Sequence, residues 1–268
     1  MAKKKSKKKA TIKTEAMLSL LKQVHLGGVV EECSIAIKKG KGHIEVVDIT
    51  DSMVIIANKT IAGKSISHEL GFGNLELLIS FLSTIEDSKI HMNYKTGNDY
   101  FVLRRADGRR KLNYLLTQVE LIATNLSLEE DEEDIDAYKQ MKELMEYSVD
   151  LTPALIKDFL KYIAILKSKE TTIHFDGEES ITFLLGSKDD HQFELRLSEE
   201  VEFLGDDDTI EFDMVINGEH LAKVFGAIIF DDEDPPKLSF SEENPIMIEV
   251  EGISWSLKQL ADFEDEGE

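Results

Sequence analysis

The sequence predicts an α+β chain built from one unit used twice, each copy holding two helices and about eight strands. Three observations predict it. The chain has 268 residues, enough for two domains that each bury a core. Four amphipathic segments of helical period are separated by stretches of period two. The spacing of the helices also repeats: the first pair starts 60 residues apart and the second 64, and the two pairs are offset by 139 and 143.

The first helix runs from about Thr14 to His25, with Met17, Leu20, Leu21 and Val24 on one face. The second follows Gly73-Asn74, with Asn74 as N-cap and Leu75, Leu78, Ile79 and Leu82 as its apolar stripe. The third starts at Thr152-Pro153, a cap followed by proline at the first helical position, and turns Ile156, Phe159, Leu160 and Ile163 inward. The fourth follows Asn217-Gly218 with Leu221, Val224, Phe225 and Ile228. Between them, residues 43–57, 89–95, 171–185, 192–197 and 237–250 alternate with period two and read as strands. From Leu128 to Asp136 the chain reads LEEDEEDID, seven carboxylates in nine residues, which repel one another and cannot enter a core. Behind this stretch Ile135, Tyr138, Met141 or Lys142, and Met145 fall at helical spacing, so the connection is either partly a helix or a solvated strap. The expected division is a disordered basic arm 1–13, an N-terminal domain 14–123, an acidic linker 124–146, a C-terminal domain 147–260 and an acidic tail 261–268.

Composition excludes several functions. With 53 acidic and 31 basic residues the formal charge is −22, which repels nucleic acid from the surface at large. The basic N-terminus has no apolar stretch long enough for a signal peptide, and no run approaches the ~18 residues of a membrane span, so the expectation is a soluble, cytoplasmic chain. Six lysines between Lys3 and Lys9 read as a solubilising tail or as a phosphate contact or import signal. The single cysteine, Cys33, lies beside Glu31 and Glu32; it forms no internal disulfide and is expected in the core rather than as a nucleophile.

Within this acidic chain the four helices are exceptions. Together they carry six lysines, namely Lys22, Lys157, Lys161, Lys167, Lys169 and Lys223, against four acids. Lys157 and Lys161 are one turn apart on the side of the third helix opposite Ile156 and Phe159. On any single helix such lysines merely keep a face solvated, whereas four helices escaping the acidic bias suggest a shared surface. At a Debye length of ~8 Å, a nearby phosphate senses these lysines more than the distant acids. Binding of that kind is salt-sensitive and indifferent to base sequence.

Local wording then carries a resemblance. Glu146-Tyr-Ser-Val-Asp-Leu-Thr-Pro153 followed by ALIKDFLKYI, Ser180-Ile-Thr-Phe183 followed by Phe193-Glu-Leu-Arg-Leu197, and Asn244-Pro-Ile-Met-Ile-Glu-Val250 followed by Ile253-Ser-Trp-Ser-Leu257 resemble the second half of the eukaryotic and archaeal PCNA clamps. Glu45-Val-Val-Asp-Ile-Thr-Asp-Ser-Met-Val54 resembles the strand and turn at which those clamps begin their partner pocket. The pattern spans the chain from Thr14 and is shared by the T-even phage clamps; the basic arm and the long acidic linker belong to neither.

The resemblance implies two tandem DNA-clamp domains, each with two helices packed on antiparallel sheet, in a polymerase processivity factor whose three subunits close head-to-tail into a ring around duplex DNA. It implies DNA-facing Lys161, with Lys22, Lys157, Lys167 and Lys223 on the same helix faces. The family's second helix is usually basic, and this one has no lysine between Gly73 and Ile85. Implied subunit edges are 110–117, with Leu112 and Tyr114, and 192–197, with Phe193 and Leu195. A partner pocket for short hydrophobic motifs of a polymerase or clamp loader would use Val47, Pro245, Ile246, Trp255 and Leu257, which on composition alone are core or half-buried strand residues. The implied location is at replication sites, on the nucleoid. Two other readings stand beside this one: a clamp-like scaffold for checkpoint or transcription coupling, and an unrelated two-domain acidic binding module.

Enzyme motifs fail on spacing. NKTIAGKS (58–65) has Asn58 where a P-loop needs glycine, Gly71-Phe-Gly73 lacks the third glycine of a dinucleotide fingerprint, and His68-Glu69 has Phe72 where a zincin needs its second histidine. The linker lacks the glycine of a calcium loop, and none of the seven histidines pairs with another at ligand spacing near a carboxylate. The chain is expected to be no enzyme and to need no metal or cofactor.

Overall fold

The computed structural model describes residues 10–61, 67–84, 90–92, 100–104, 111–123, 137–178, 180–186, 191–197, 201–204, 210–230 and 234–260. The lysines of the basic arm, the LEEDEEDID stretch and the tail 261–268 lie outside them, as do residues 62–66 of the near-P-loop. The chain groups into two units, one of residues 1–49 and 56–126, the other of residues 50–55 and 127–268.

In the first unit, β1 (Ala10–Ile12) leads into α1 (Thr14–His25), which buries Met17, Leu20, Leu21 and Val24. Strands β2 (Cys33–Lys38), β3 (Lys41–Val47), β4 (Met53–Thr60) and β5 (Ser67–Phe72) form a sheet in the order β4-β3-β2-β5, residues 53–55 of β4 grouping with the second unit. Alternation is strict along β3, where Gly42, Ile44 and Val46 point inward, so one face of the sheet is core. Cys33 is fully buried there, and burial pushes its thiol far above the ordinary range, with Glu32 adding to the shift. Helix α2 (Leu75–Ser83) starts at Asn74, whose Oδ1 accepts from Leu77 N–H at 2.9 Å, and packs with α1. The unit ends in β6 (Ile90–Met92), paired with β1, and the ribbon β7 (Tyr100–Arg104) with β8 (Lys111–Leu115). Gly71 is required where the chain returns: Thr117 N–H donates to its carbonyl, and a Cβ there would sit 2.2 Å from the Thr117 carbonyl oxygen.

The second unit repeats the scheme. After α3 (Ala137–Glu143) come β9 (Tyr147–Asp150) and α4 (Pro153–Leu166), the Thr152 hydroxyl accepting from Leu155 N–H. Strands β10 (Glu170–Phe175), β11 (Ile181–Gly186), β12 (Gln192–Arg196) and β14 (Phe212–Asn217) lie in the order β12-β11-β10-β14, the same order as in the first unit. Helix α5 (Gly218–Ala227) starts at Asn217, whose Oδ1 accepts from His220 N–H, and packs on α4. Short β13 (Glu202–Phe203) joins β9, β15 (Lys237–Phe240), β16 (Ile246–Val250) and β17 (Ile253–Leu257) in a second antiparallel layer. The core between α4, α5 and the sheet holds Phe159, edge-on to Phe183 at 5.6 Å and to Phe225 at 4.9 Å. Leu155 is buried on α4, while Leu160, expected inside, is half-buried at the rim of the stripe.

Tyr114 departs from the sequence expectation. Its side chain points inward and is 3% exposed, edge-on to Phe72 at 5.7 Å. Its hydroxyl accepts from Asn74 N–H at 2.9 Å and donates to Asn74 O at 2.7 Å, so it props the first turn of α2, and burial raises the phenol pKa. Tyr114→Phe leaves both Asn74 groups without this partner and is expected to cost about 1–3 kcal/mol in urea unfolding. An unchanged midpoint would show that water replaces the hydroxyl at no cost.

Candidate DNA and partner surfaces

The lysines are built by helix geometry. On α4 the inward positions take Leu155, Ile156, Phe159 and Ile163, which leaves Lys157 and Lys161 outward, both exposed and separated by one turn. On α5, Leu221, Val224 and Phe225 face the core and Lys223 faces solvent. Since α4 and α5 touch through Phe159 and Phe225, Lys157, Lys161 and Lys223 lie on the outer sides of two neighbouring helices. Lys161 Nζ lies 4.9 Å from the centre of the Tyr162 ring, and that ring stacks on Phe193 at 3.7 Å, joining the end of α4 to β12. Lys167 caps α4 in the left-handed conformation, its N–H donating to Ile163 O. In the first unit Lys22 is exposed on α1, while the outward face of α2 presents Glu76, Leu77 and Ser80 and no cation.

The strands expected at subunit edges differ in character. No residue of β12 is fully buried; Phe193 and Leu195 are half-buried, and the strand ends its sheet. On β8 Leu112 is half-buried and Tyr114 is core, so the apolar residue presented outward is Leu115, 70% exposed. Sequence reasoning missed it because period two alone does not say which face of an edge strand is wet; a leucine amid polar neighbours past the core tyrosine was the available signal.

The residues expected in a partner pocket are spread over core and surface. Val47 is half-buried on β3, and in the other unit Pro245 is half-buried just before β16. Ile246, Trp255 and Leu257 are fully buried, Trp255 at 0% exposure, so they support the second layer from within and present nothing to solvent in this conformation. Trp255→Ala is expected to cost about 3–5 kcal/mol by leaving a cavity in that layer; a loss below 1 kcal/mol in calorimetry would show that β16 and β17 close over the gap. Ile49, beside Val47, is strongly exposed instead. It sits in the turn Asp48 to Asp51, where an isoleucine has no core to fill.

Histidines form two carboxylate pairs. His43 bonds Glu45 at 2.9 Å and Asn58 at 2.7 Å, which raises the imidazole pKa and lowers that of Glu45. His174 bonds Asp213 across β10 and β14 at 2.8 Å. Among the described residues no set of three or more His, Cys, Asp or Glu is placed to hold a metal ion, and no helix is long and apolar enough to cross a membrane.

No family model matches the chain, and no curated protein sequence does. Solved structures do. The proliferating cellular nuclear antigen of Entamoeba histolytica is similar over 94% of this chain and 98% of its own, with a TM-score of 0.69 at 13% identity. The PCNA of Thermococcus kodakaraensis is similar over 94% and 99%, with a TM-score of 0.68 at 11% identity. At such low identity the likeness is one of backbone architecture, and it covers both units: the chain has the fold of the PCNA sliding clamps.

Proposed function

We propose that the protein is a sliding clamp, a non-catalytic ring that encircles duplex DNA and tethers a polymerase and other DNA-processing partners. The observation that carries this reading is the repeated unit of two packed helices on antiparallel sheet, similar over 94% of the chain to two PCNA structures. A clamp must hold DNA without arresting on it, and exposed lysines on α4 and α5 of an otherwise acidic chain suit contacts to phosphate alone. Such a protein works where DNA is replicated.

Ring closure follows from the repeat. Just past β17, Lys258 N–H donates to Ser52 O just before β4, a contact within the second unit. By position in the repeat, β8 corresponds to β17 and β12 to β4. The same join made between two copies pairs β8 of one with β12 of the next, a heterologous contact that covers both open edges and closes after three subunits. Native mass spectrometry and retention on circular DNA test the proposal together: a trimer held on closed circles and lost from linearised ones is expected. A monomer at all concentrations would overturn it.

A further inference from the structure

A cavity of about 380 Å³ opens on the second unit, away from the lysines. Its floor is Tyr147 and Phe212, both buried, and its wall includes Ile210, 53% exposed. The apolar surface continues past the cavity, because β13 pairs Phe203 with Tyr147, their rings edge-on at 5.5 Å, and Leu204 follows with its side chain exposed. Above this floor stand the carboxylates of Glu146, Glu242 and Glu243, all exposed and, among the described residues, none paired with a cation. The walls are fixed: Gln259 Nε2 donates to the carbonyls of Glu242 at 2.7 Å and Asn244 at 2.8 Å, and the main chain of Glu146 is bonded on both sides, its N–H to Phe240 O and its carbonyl to Leu204 N–H.

We propose that this cavity docks a short protein segment carrying an apolar residue flanked by lysine or arginine. The volume is near the lower end of binding pockets and suits one or two side chains rather than a whole cofactor. Unpaired carboxylates over an aromatic floor favour a cation, and a guanidinium can both stack on the ring edges and meet the acids. An acidic or purely apolar segment would leave three like charges crowded at its rim. The bonded walls keep the cost of ordering the site low. None of these residues is among Val47, Pro245, Ile246, Trp255 and Leu257, so the surface is additional to the peptide pocket implied by the clamp reading. That reading supplies only the source of the segment, a partner brought to DNA.

The probe is a fluorescein-labelled peptide Lys-Leu-Phe-Arg-Lys, titrated with the full-length protein by anisotropy, beside its charge-reversed counterpart Glu-Leu-Phe-Asp-Glu. Saturable binding of the basic peptide alone is expected. The triple variant Glu146→Gln, Glu242→Gln, Glu243→Gln should weaken it about five- to ten-fold, the order expected of several exposed ion pairs, and flatten its salt dependence. Ile210→Ser should weaken it while keeping the salt dependence. Equal binding of both peptides, or equal binding by the triple variant, overturns the proposal. So does a fall in native mass of the triple variant, which would make the surface a contact between copies. Retention on circular DNA, measured on the same variants, is expected to stay at the wild-type level; loss of retention in the wild type itself would sink the clamp reading and leave the peptide result to be judged alone.

Discussion

Leu115→Arg combined with Phe193→Arg is expected to convert the assembly wholly into monomers of 30.3 kDa. Leu115 is the apolar side chain that β8 turns outward, and Phe193 sits on β12, propped by its stack on Tyr162. In a head-to-tail ring every joint contains one copy of each strand, so both charges enter each of the three joints. Removing a guanidinium from water without a partner costs several kcal/mol, and here two of like sign would face one another. The variant should remain folded, because neither residue lies in the core. Tyr114 is unsuitable for this test, since an arginine there would break the support of α2 and confuse unfolding with dissociation. A trimer that survives the double change would put the joint elsewhere.

The second large effect is expected at Lys157 and Lys161. Changing both to glutamate reverses the outward face of α4 in every subunit, four charge units per chain and three times that in a ring. Each lost phosphate contact removes about 0.9 from the slope of log affinity against log salt on duplex DNA. Retention on closed circular DNA should therefore fall by more than ten-fold at moderate salt and vary less with salt than in the wild type. Native mass should stay that of the trimer, because these lysines are exposed and lie outside both edge strands. Unchanged retention would remove α4 from the path of DNA.

Helices were the most legible part of the sequence. Asn74, Thr152 and Asn217 announce three helix starts, and in each case the structure has the side chain accepting from a main-chain N–H of the first turn. Sheet order was not legible, because β2 reaches β5 across two intervening strands and nothing local encodes that choice. The candidate site was read unevenly for the same reason. A lysine on a helix can be assigned to a face from its spacing to buried neighbours, so Lys157, Lys161 and Lys223 were found. A residue of β17 is covered on both faces, so alternation cannot tell Trp255 in a core from Trp255 in a pocket. Leu115 and Ile210 become notable only when exposure is known.

The amide of Gln259 has a mechanical consequence. One side chain grips the carbonyls of the turn between β15 and β16, while its neighbour Leu260 donates to Val215 O on β14. A protein pulling on that turn therefore loads these bonds side by side and passes the tension into two sheets at once. Bonds strained in parallel yield together, so a tow line attached there would hold firm where a loop hinged at its ends would peel.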